Sequence, residues 1–314
     1  MAKVAYYPGC ALKERSSHLD RSARDATLKL GFELDELDTW TCCGAVPPVS
    51  EERIMNLIAP SRILKNVRDS GRDILITICD FCYNTLKRTN FSIRSDEIVR
   101  KRINAFLADD TPERDYLEKD DSEWVDYTGE VKVIHLMEYL RDELGYEKIT
   151  ENLKRSLKGL KIAPYYGCVM LRPQDEIQLD DPENPSIIED FITALDACPV
   201  KYPYRTECCG SYLSVSSPDA STRLCYRILN SASENGADAI VVSCPLCFYN
   251  LDSRQKAIVE AFPDFKPVPI FYFTQLLSVA LGVEHDRQGF EKHYIDVTPI
   301  LDRIVDSSVK GDEE

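Results

Sequence analysis

Short apolar runs alternate with longer amphipathic stretches along most of this chain. Runs such as Ile74-Leu75-Ile76-Thr77-Ile78 and Ile240-Val241-Val242 are almost entirely apolar, which is typical of strands buried on both faces. The stretches between such runs show helical periodicity, and two of them end at Gly31 and Gly71, residues that commonly terminate helices. The pattern therefore predicts strands that alternate with helices.

In the first half, we expect strands at 3–7, 32–37, 73–78 and 131–134, and helices at 19–30, 52–70, from the Cys-x-x-Cys motif to about 90, and at 135–144. In the second half, we expect strands near 161–165, 199–203, 238–243 and 268–271, and helices near 185–197, 218–235, 247–261 and 273–281. Strand–helix alternation predicts an α/β fold in which each half is a small parallel sheet flanked by helices.

Three blocks of the first half recur in the same order in the second half. Residues 3–10 align with 161–168, residues 73–86 with 238–251, and residues 135–145 with 272–282. Such a repeat indicates a duplicated domain, and we expect the two copies to be related by a pseudo-twofold axis. The predicted division is a first domain at 1–145 with an acidic insertion at about 104–130, a linker helix at 146–160, a second domain at 161–282, and a C-terminal tail at 283–314.

Composition narrows the classes of protein. The 314 residues are 44% hydrophobic, as in a globular protein with a core, and they contain no apolar run long enough for a membrane span. The N-terminus lacks the pattern of a secretory signal, so we expect a cytoplasmic protein. The net charge of −15 argues against binding to nucleic acid. Twelve cysteines in a reducing compartment favour metal ligation or redox chemistry over disulfides.

Ten of the twelve cysteines form two sets of five with the same motifs. Each set has a Gly-Cys, a Cys-Cys-Gly and a Cys-x-x-Cys, and each motif follows a predicted strand. The sets are Cys10, Cys42, Cys43, Cys79 and Cys82, and Cys168, Cys208, Cys209, Cys244 and Cys247. Because the carboxyl ends of parallel strands share one edge of a sheet, we expect each set to converge there.

Several chemistries are compatible with five convergent thiols. A structural zinc ion takes four ligands, so a fifth cysteine and an adjacent pair fit it poorly. A thioredoxin-like Cys-x-x-Cys leaves three cysteines of each set without a role. An iron–sulfur cluster is held by thiolates and is favoured, with zinc and dithiol chemistry as alternatives. Helix N-termini after the cysteine motifs would favour an anionic group at the site.

These motifs resemble the cysteine-rich CCG domain, and two copies in one chain resemble the B subunit of heterodisulfide reductase and its bacterial relatives. The resemblance covers nearly the whole chain. It implies one noncubane [4Fe-4S] cluster on each five-cysteine set, with the two clusters facing each other across the domain interface. The first copy of the family's methanogen members usually reads Cys-Cys-Pro, whereas this chain has Cys42-Cys43-Gly44. That departure favours a relative over the methanogen enzyme itself.

The function implied by the resemblance is that of an oxidoreductase. It would be the catalytic subunit that cleaves a disulfide by one-electron steps, as the family does with coenzyme M–coenzyme B heterodisulfide in methanogenesis; the substrate here could also be a protein disulfide. The implied partners are a ferredoxin-like C subunit with [4Fe-4S] clusters and a flavin-containing A subunit that often works by electron bifurcation. The alternative is a pure electron-transfer subunit that passes electrons to another protein or acceptor.

Some residues outside the ten cysteines are candidates for supporting roles. Lys13, Arg172, Lys87 and Arg205 flank the motifs and could bind an anionic substrate, although ordinary surface charge is the simpler interpretation. His135 begins a predicted helix and could donate a proton, but a helix-start role is favoured because its counterpart is a tyrosine. The two remaining cysteines, at 198 and 225, are predicted to be buried structural thiols.

Overall fold

The structure, a computed structural model, describes residues 1–45, 54–109 and 125–306. Four strands of the first half are β1 (Ala2–Tyr7), β2 (Phe32–Glu36), β3 (Ile74–Thr77) and β4 (Lys132–His135). The helices of that half are α1 (Gly9–Lys13), α2 (Ser17–Lys29), α3 (Met55–Asp69), α4 (Asp80–Ser95), α5 (Glu97–Asp109) and α6 (Leu136–Tyr139), followed by a π-helical turn at Leu140–Leu144.

The second half begins after a short connection. The connection contains α7 (Tyr146–Glu151) and β5 (Arg155–Ser156). The strands that follow are β6 (Lys161–Tyr165), β7 (Cys198–Pro199), β8 (Ala239–Val242) and β9 (Ile270–Tyr272). The helices are α8 (Gln174–Ile177), α9 (Ile187–Ala194), α10 (Pro218–Glu234), α11 (Pro245–Ser253), α12 (Gln255–Ala261) and α13 (Phe273–Ala280), and the tail contains α14 (Thr298–Leu301) and β10 (Val305–Asp306).

Each half contains its own four-stranded sheet, and the two sheets have equivalent strand orders. The strand order is β2-β1-β3-β4 in the first and β7-β6-β8-β9 in the second, and every neighbouring pair is parallel. Central strands β3 and β8 are buried along most of their length, as their apolar runs require. The predicted fold class, two α/β domains with small parallel sheets flanked by helices, is confirmed.

Element boundaries differ from the expectations at a few places. Helix α4 continues to Ser95, and α5 runs to Asp109, into the segment predicted to be an irregular acidic insertion. Asn104 and Leu107 of α5 are buried, because this helix packs on α3 and α4. Residues 110–124 of the predicted insertion lie outside the described residues, and Tyr127 in its last part is buried. Strand β7 has two residues at the edge of its sheet, and Pro199 is tolerated there because the backbone N–H groups of Cys198 and Val200 make the bonds towards β6.

The domains are joined by buried contacts rather than by a loose linker. Helix α13 of the second domain packs on α2 of the first, and the Ser22 and Thr274 hydroxyl oxygens lie 2.6 Å apart in this interface. The tail returns to the first domain, where Arg287 forms an ion pair with Asp25. Its last strand, β10, pairs antiparallel with β5 of the connection. In the portion of the chain that the structure describes, no helix combines the length and apolar character needed to cross a membrane.

Candidate metal centre

The first five cysteines meet at the carboxyl edge of the first sheet. Cys10 lies on α1 directly after β1, Cys42 and Cys43 follow β2, and Cys79 and Cys82 follow β3. The Sγ atoms of Cys10 and Cys42 are 3.8 Å apart, and those of Cys43 and Cys82 are 3.4 Å apart. Cys10 and Cys42 are exposed, whereas the other three are buried. The set is therefore open to the surface on one side and enclosed on the other.

The second set repeats this arrangement on the second sheet. The Sγ atoms of Cys209 and Cys247 are 3.5 Å apart, which matches the Cys43–Cys82 pair of the first domain. The Gly210 backbone N–H donates to Cys208 Sγ at 3.3 Å. Cys244 is the N-cap residue of α11, just as Cys79 is the N-cap residue of α4. Both Cys-x-x-Cys motifs thus lie at a helix N-terminus, where backbone N–H groups and the helix dipole stabilise negative charge.

Two glycines bring the backbone close to the sulfurs. Gly9 has φ +72°, and a Cβ atom built on it would lie 2.7 Å from Cys82 Sγ. Gly167 has φ +67°, and its Cβ atom would lie 3.2 Å from Cys247 Sγ. The equivalent glycine of each domain therefore leaves room that any other residue would fill. A glycine is required here both by the left-handed conformation and by the space.

The thiols of each set compete for negative charge. Hydrogen bonding within the set lowers the pKa of Cys43 to about 7, with Cys82 as the main partner, and lowers the pKa of Cys208 to about 2, with Cys168 as the main partner. Burial and the neighbouring sulfurs raise the pKa of Cys10 to about 11, whereas the hydrogen bond with Cys208, followed by burial, raises the pKa of Cys168. Several thiolates can coexist at this spacing only when cations compensate their charge.

The donor set fits a sulfur-ligated cluster. Among the described side chains, no three His, Cys, Asp or Glu groups are arranged to hold one metal ion. Each domain instead provides five thiols, a glycine that leaves space beside a sulfur, and a helix N-terminus. Cysteine thiolates are the ligands that hold iron–sulfur clusters. The ten predicted cysteines are thus brought together in two groups of five, and their assignment as ligands stays a prediction.

A buried carboxylate connects the two sets. Asp80, which follows Cys79, is 1% exposed and accepts a hydrogen bond from Ser243 Oγ of the second domain at 3.0 Å. Its other oxygen lies 3.3 Å from His135 Nε2. Burial, followed by the charges of Asp80 and Cys79, raises the pKa of Cys244, so the two cysteine sets interact electrostatically across the interface.

Sequence reasoning missed Asp80. The available signal was an acidic residue directly after the first cysteine of a Cys-x-x-Cys at a predicted helix start, where the second copy has Pro245. Nothing in the sequence indicated that this carboxylate would contact the other domain.

Behind the second set, a polar network fixes the Cys-Cys-Gly loop. Asn250 Nδ2 donates to the Cys209 carbonyl at 2.7 Å, and Arg254 Nε donates to Asn250 Oδ1 at 2.6 Å. Cys225 Sγ lies 3.4 Å from the same Cys209 carbonyl. Cys225 is buried, as predicted for a structural thiol. The same prediction is wrong for Cys198, which is exposed because it lies on the short edge strand β7.

His135 has the helix-start role that the sequence favoured. Its Nδ1 accepts a hydrogen bond from the Met137 backbone N–H at 3.1 Å, and its Nε2 lies 2.9 Å from the Ile78 carbonyl. At the counterpart position, the Tyr272 backbone N–H donates to Gln275 Oε1 at 3.0 Å, while the Tyr272 hydroxyl hydrogen-bonds to Ser16 of the first domain. The two repeats therefore share the side chain that accepts the first N–H of the last helix, Glu138 or Gln275, but not the side-chain cap that His135 provides.

The four basic residues predicted to bind substrate all have protein partners. Lys13 forms an ion pair with Glu36 at 2.6 Å, and Lys87 Nζ lies 2.8 Å from the Tyr83 hydroxyl. In the second domain, the other two donate to acceptors of their own: Arg172 to the Pro182 carbonyl and Arg205 to the Asn184 amide oxygen. Their substrate role stays a prediction, and these contacts support structural roles.

Comparison with known proteins agrees with the fold and the cysteine motifs. The CCG family, described as a cysteine-rich domain, matches residues 4–87 and 162–252. A hypothetical protein from Helicobacter pylori shares the fold, with a TM-score of 0.70 at 14% identity over 94% of this chain and 52% of that chain. The fold and the two matched segments define an α/β protein with tandem cysteine-rich domains.

Two relatives identify the family more closely. The chain is 30% identical over 312 residues to the B subunit of the ferredoxin/F(420)H(2)-dependent CoB-CoM heterodisulfide reductase of Methanosarcina acetivorans, covering 98% of this chain and 99% of the relative. It is 28% identical over 298 residues to the 8-methylmenaquinol:fumarate reductase membrane anchor subunit of Wolinella succinogenes, covering 95% of this chain and 99% of that protein. The chain belongs to the family of heterodisulfide reductase B subunits.

Membership in this family indicates the general class of reaction and the type of group that the cysteines bind. Its members named here are subunits of oxidoreductases, which supports an oxidoreductase class and is consistent with partner subunits. The tandem cysteine-rich domains favour iron–sulfur clusters as the groups bound at the two sets of cysteines.

Proposed function

We propose that this chain is the iron–sulfur catalytic subunit of a heterodisulfide-reductase-like complex. It would cleave a disulfide, such as coenzyme M–coenzyme B heterodisulfide, at two noncubane [4Fe-4S] clusters held by the two sets of five cysteines. The observation that carries the proposal is the contact between the sets: Asp80, beside Cys79, accepts a hydrogen bond from Ser243, beside Cys244. Two equivalent sites at one interface suit a substrate with two sulfurs, each of which requires one electron.

The protein's own residues have three roles in this proposal. The ten cysteines hold the clusters, which supply one-electron chemistry when bound. Gly9 and Gly167 leave the space beside the sulfurs, and Asn250 holds the loop of Cys209. Asp80 and its partners fix the two halves against each other. The surface-exposed thiols of Cys10 and Cys42 mark the side from which a reactant reaches the first set.

Partners and location belong to the same proposal. Disulfide reduction needs two electrons, so we propose that a ferredoxin-like C subunit with [4Fe-4S] clusters delivers them from a flavin-containing A subunit. The names of the relatives, which describe subunits, support an assembly of this kind. We propose a cytoplasmic location as well, because cysteines that hold clusters must stay reduced.

A second candidate is an electron-transfer protein that cleaves no disulfide. The similarity to a subunit of 8-methylmenaquinol:fumarate reductase favours it, because the reactants that this enzyme is named for are a quinol and fumarate and not a disulfide. In this alternative the same cysteines hold clusters that pass electrons to another protein or to a quinone-linked acceptor.

Metal analysis combined with electron paramagnetic resonance (EPR) tests the proposal. Purified anaerobically, the chain should contain iron and acid-labile sulfide, and the EPR signal of the oxidised protein should change when thiols are added. About two zinc ions per chain with no sulfide would contradict both candidates. A full content of iron and sulfide, with an EPR signal that responds to no thiol in a chemically varied panel, would favour the electron-transfer candidate.

A further inference from the structure

Two tyrosines at equivalent positions of the repeat make the same hydrogen bond. The Tyr7 hydroxyl donates to the Thr41 carbonyl at 2.8 Å, and the Tyr165 hydroxyl donates to the Glu207 carbonyl at 2.7 Å. Each tyrosine is the last residue of its strand, β1 in the first domain and β6 in the second. Because the same bond joins distant segments in both copies, it is a property of the domain and not of one particular loop.

Each of these bonds joins two of the three cysteine motifs. Tyr7 lies three residues before Cys10, and its acceptor, the Thr41 carbonyl, belongs to the residue directly before Cys42. Tyr165 has the same spacing to the corresponding cysteines of the second domain. The bond therefore connects the Gly-Cys motif, which follows a central strand, to the Cys-Cys-Gly motif, which follows the neighbouring edge strand.

The cysteines next to these bonds are the least buried of each set. Cys10 and Cys42 are exposed and Cys168 and Cys208 are half-buried, whereas the other candidate ligands are all buried. We call these four the outer cysteines. Close packing restrains the buried thiols, but it restrains the outer cysteines much less. In the first domain the outer Sγ atoms nevertheless lie 3.8 Å apart, so another interaction must hold their two motifs together.

The tyrosine side chains are suited to that purpose. Tyr7 is 0% exposed and Tyr165 is 1% exposed, and a buried phenol normally requires a hydrogen-bond partner. Burial, followed by the charges of neighbouring cysteines, raises the pKa of both phenols, so each keeps its proton and remains a donor at neutral pH. The Tyr7 ring also makes an edge contact with Trp40, with the ring centroids 5.5 Å apart. The donor is thus fixed in place before it reaches the loop.

The second domain has an additional restraint on the same two motifs. The backbone N–H groups of Tyr166 and Gly167 donate to the Arg205 carbonyl at 2.9 and 3.4 Å. The counterpart of Tyr166 is Pro8, which has no N–H to donate. We therefore expect the first domain to depend more strongly on its tyrosine than the second domain does.

We propose that Tyr7 and Tyr165 are positioning residues, whose hydrogen bonds hold the outer cysteines of each set at the spacing that a bound cluster requires. This role rests on the iron–sulfur clusters of the proposed function, but it does not require that a disulfide be cleaved. Each tyrosine acts on the metal centre through the backbone next to a cysteine, without being a ligand itself.

The test compares the release of iron from tyrosine variants of the purified chain. Tyr7→Phe keeps the ring and removes the hydroxyl, so about half of the iron should pass to an excess of chelator about 3- to 10-fold faster than in the wild type, as loss of one hydrogen bond predicts. Tyr165→Phe should accelerate the other half by a smaller factor, about 2- to 3-fold, because the Arg205 carbonyl still holds that loop. In each variant, the EPR signal of one cluster should change.

Tyr6→Phe is the matched control for a purely structural effect. Tyr6 is also 0% exposed and lies beside Tyr7 on β1, but its hydroxyl donates to Asp20 of α2 at 2.7 Å. Because the acceptor is a carboxylate, this variant should lower the melting temperature at least as much as Tyr7→Phe does. Its iron release and EPR signal should nevertheless match those of the wild type.

Hydrogen exchange of the segment around Thr41 and Cys42 gives a readout that needs no iron, and it should be faster in Tyr7→Phe and unchanged in Tyr6→Phe. Wild-type rates of iron release in both Tyr7→Phe and Tyr165→Phe would overturn the proposal, and so would equal acceleration in Tyr6→Phe. A wild-type chain without iron and sulfide would instead refute the proposed clusters, and the exchange result would then decide whether the tyrosine holds the loop.

Discussion

Substituting Gly9 should remove the cluster of the first domain, and the structure provides the size of the disturbance. A Cβ atom at position 9 would lie 2.7 Å from Cys82 Sγ, whereas unstrained nonbonded contacts of this kind are about 3.5–4.0 Å. The sulfur must therefore move by about 1 Å, which is enough to take it away from its neighbours at Cys43. The left-handed φ of +72° adds a backbone cost of about 1–2 kcal/mol for alanine.

The chain offers a control that separates these two effects. Gly31 has φ +91°, so Gly31→Ala has a similar backbone cost, but nothing lies within 4 Å of its added Cβ atom. Both variants should lower the melting temperature by several degrees, at roughly 2–4 °C per kcal/mol. Gly9→Ala should lose about half of the iron and sulfide per chain, and Gly31→Ala should lose none.

Iron and sulfide analysis, normalised to protein and accompanied by thermal unfolding, measures both outcomes. A Gly9→Ala protein with a full iron content would refute the claim that this glycine makes room for a bound group. Equal iron loss in Gly31→Ala would show that backbone strain, rather than contact with the sulfur, is responsible.

Three further predictions concern other parts of the site. Cys43→Ala should lose about half of the iron, and the exposed Cys198→Ala should retain all of it; metal analysis that shows iron loss in the second would contradict the ligand assignment. Asn250→Ala leaves a buried carbonyl and a guanidinium without their partner and should cost about 2–4 kcal/mol of unfolding free energy, whereas Asn235→Ala, at a helix end, should cost less than about 1 kcal/mol in the same denaturant titration. Because the folded protein holds His18 neutral, with its pKa lowered to about 3, stability should fall as the pH drops below about 6.5, by roughly 1.4 kcal/mol per pH unit. Thermal unfolding at pH 7.5 and 5.5 should show a smaller difference for His18→Phe than for the wild type, and an equal difference would contradict the assignment.

The sequence was sufficient to predict the architecture because its strongest signals are repeated. Apolar strand runs and cysteine motifs occur twice in the same order, so each copy supports the interpretation of the other. Cysteines such as Cys10 and Cys168 each follow a predicted strand. The convergence of each set at the edge of its own sheet then followed from the topology of parallel sheets. The parallel order of both sheets and the two groups of thiols are found in the structure for this reason.

Other features could not be predicted because they depend on contacts between distant segments. Asp80 and Ser243 meet only once two domains have packed, and no local pattern records that pairing. Asn84 donates across the interface to the carbonyls of Val169 and Arg172, and no pattern in the sequence pairs these segments. The four basic residues near the motifs suggested substrate binding, yet each of them has a partner within the protein. Lys13, for example, pairs with Glu36, and Arg172 donates to the Pro182 carbonyl. Proximity in sequence to a motif is a weak guide to where a flexible charged side chain points.

The Asp80 contact limits how this protein can handle a reactant. If the domains separated, the Asp80 carboxylate would lose its hydrogen bond from the Ser243 hydroxyl. Separation would also break the packing of α13 on α2. The gap between the sulfur sites is thus set when the chain folds. Many enzymes close around a substrate after it arrives, but here the reactant must fit a pre-formed opening. Under the proposed function, we therefore expect selectivity to depend on the dimensions of that opening more than on domain motion.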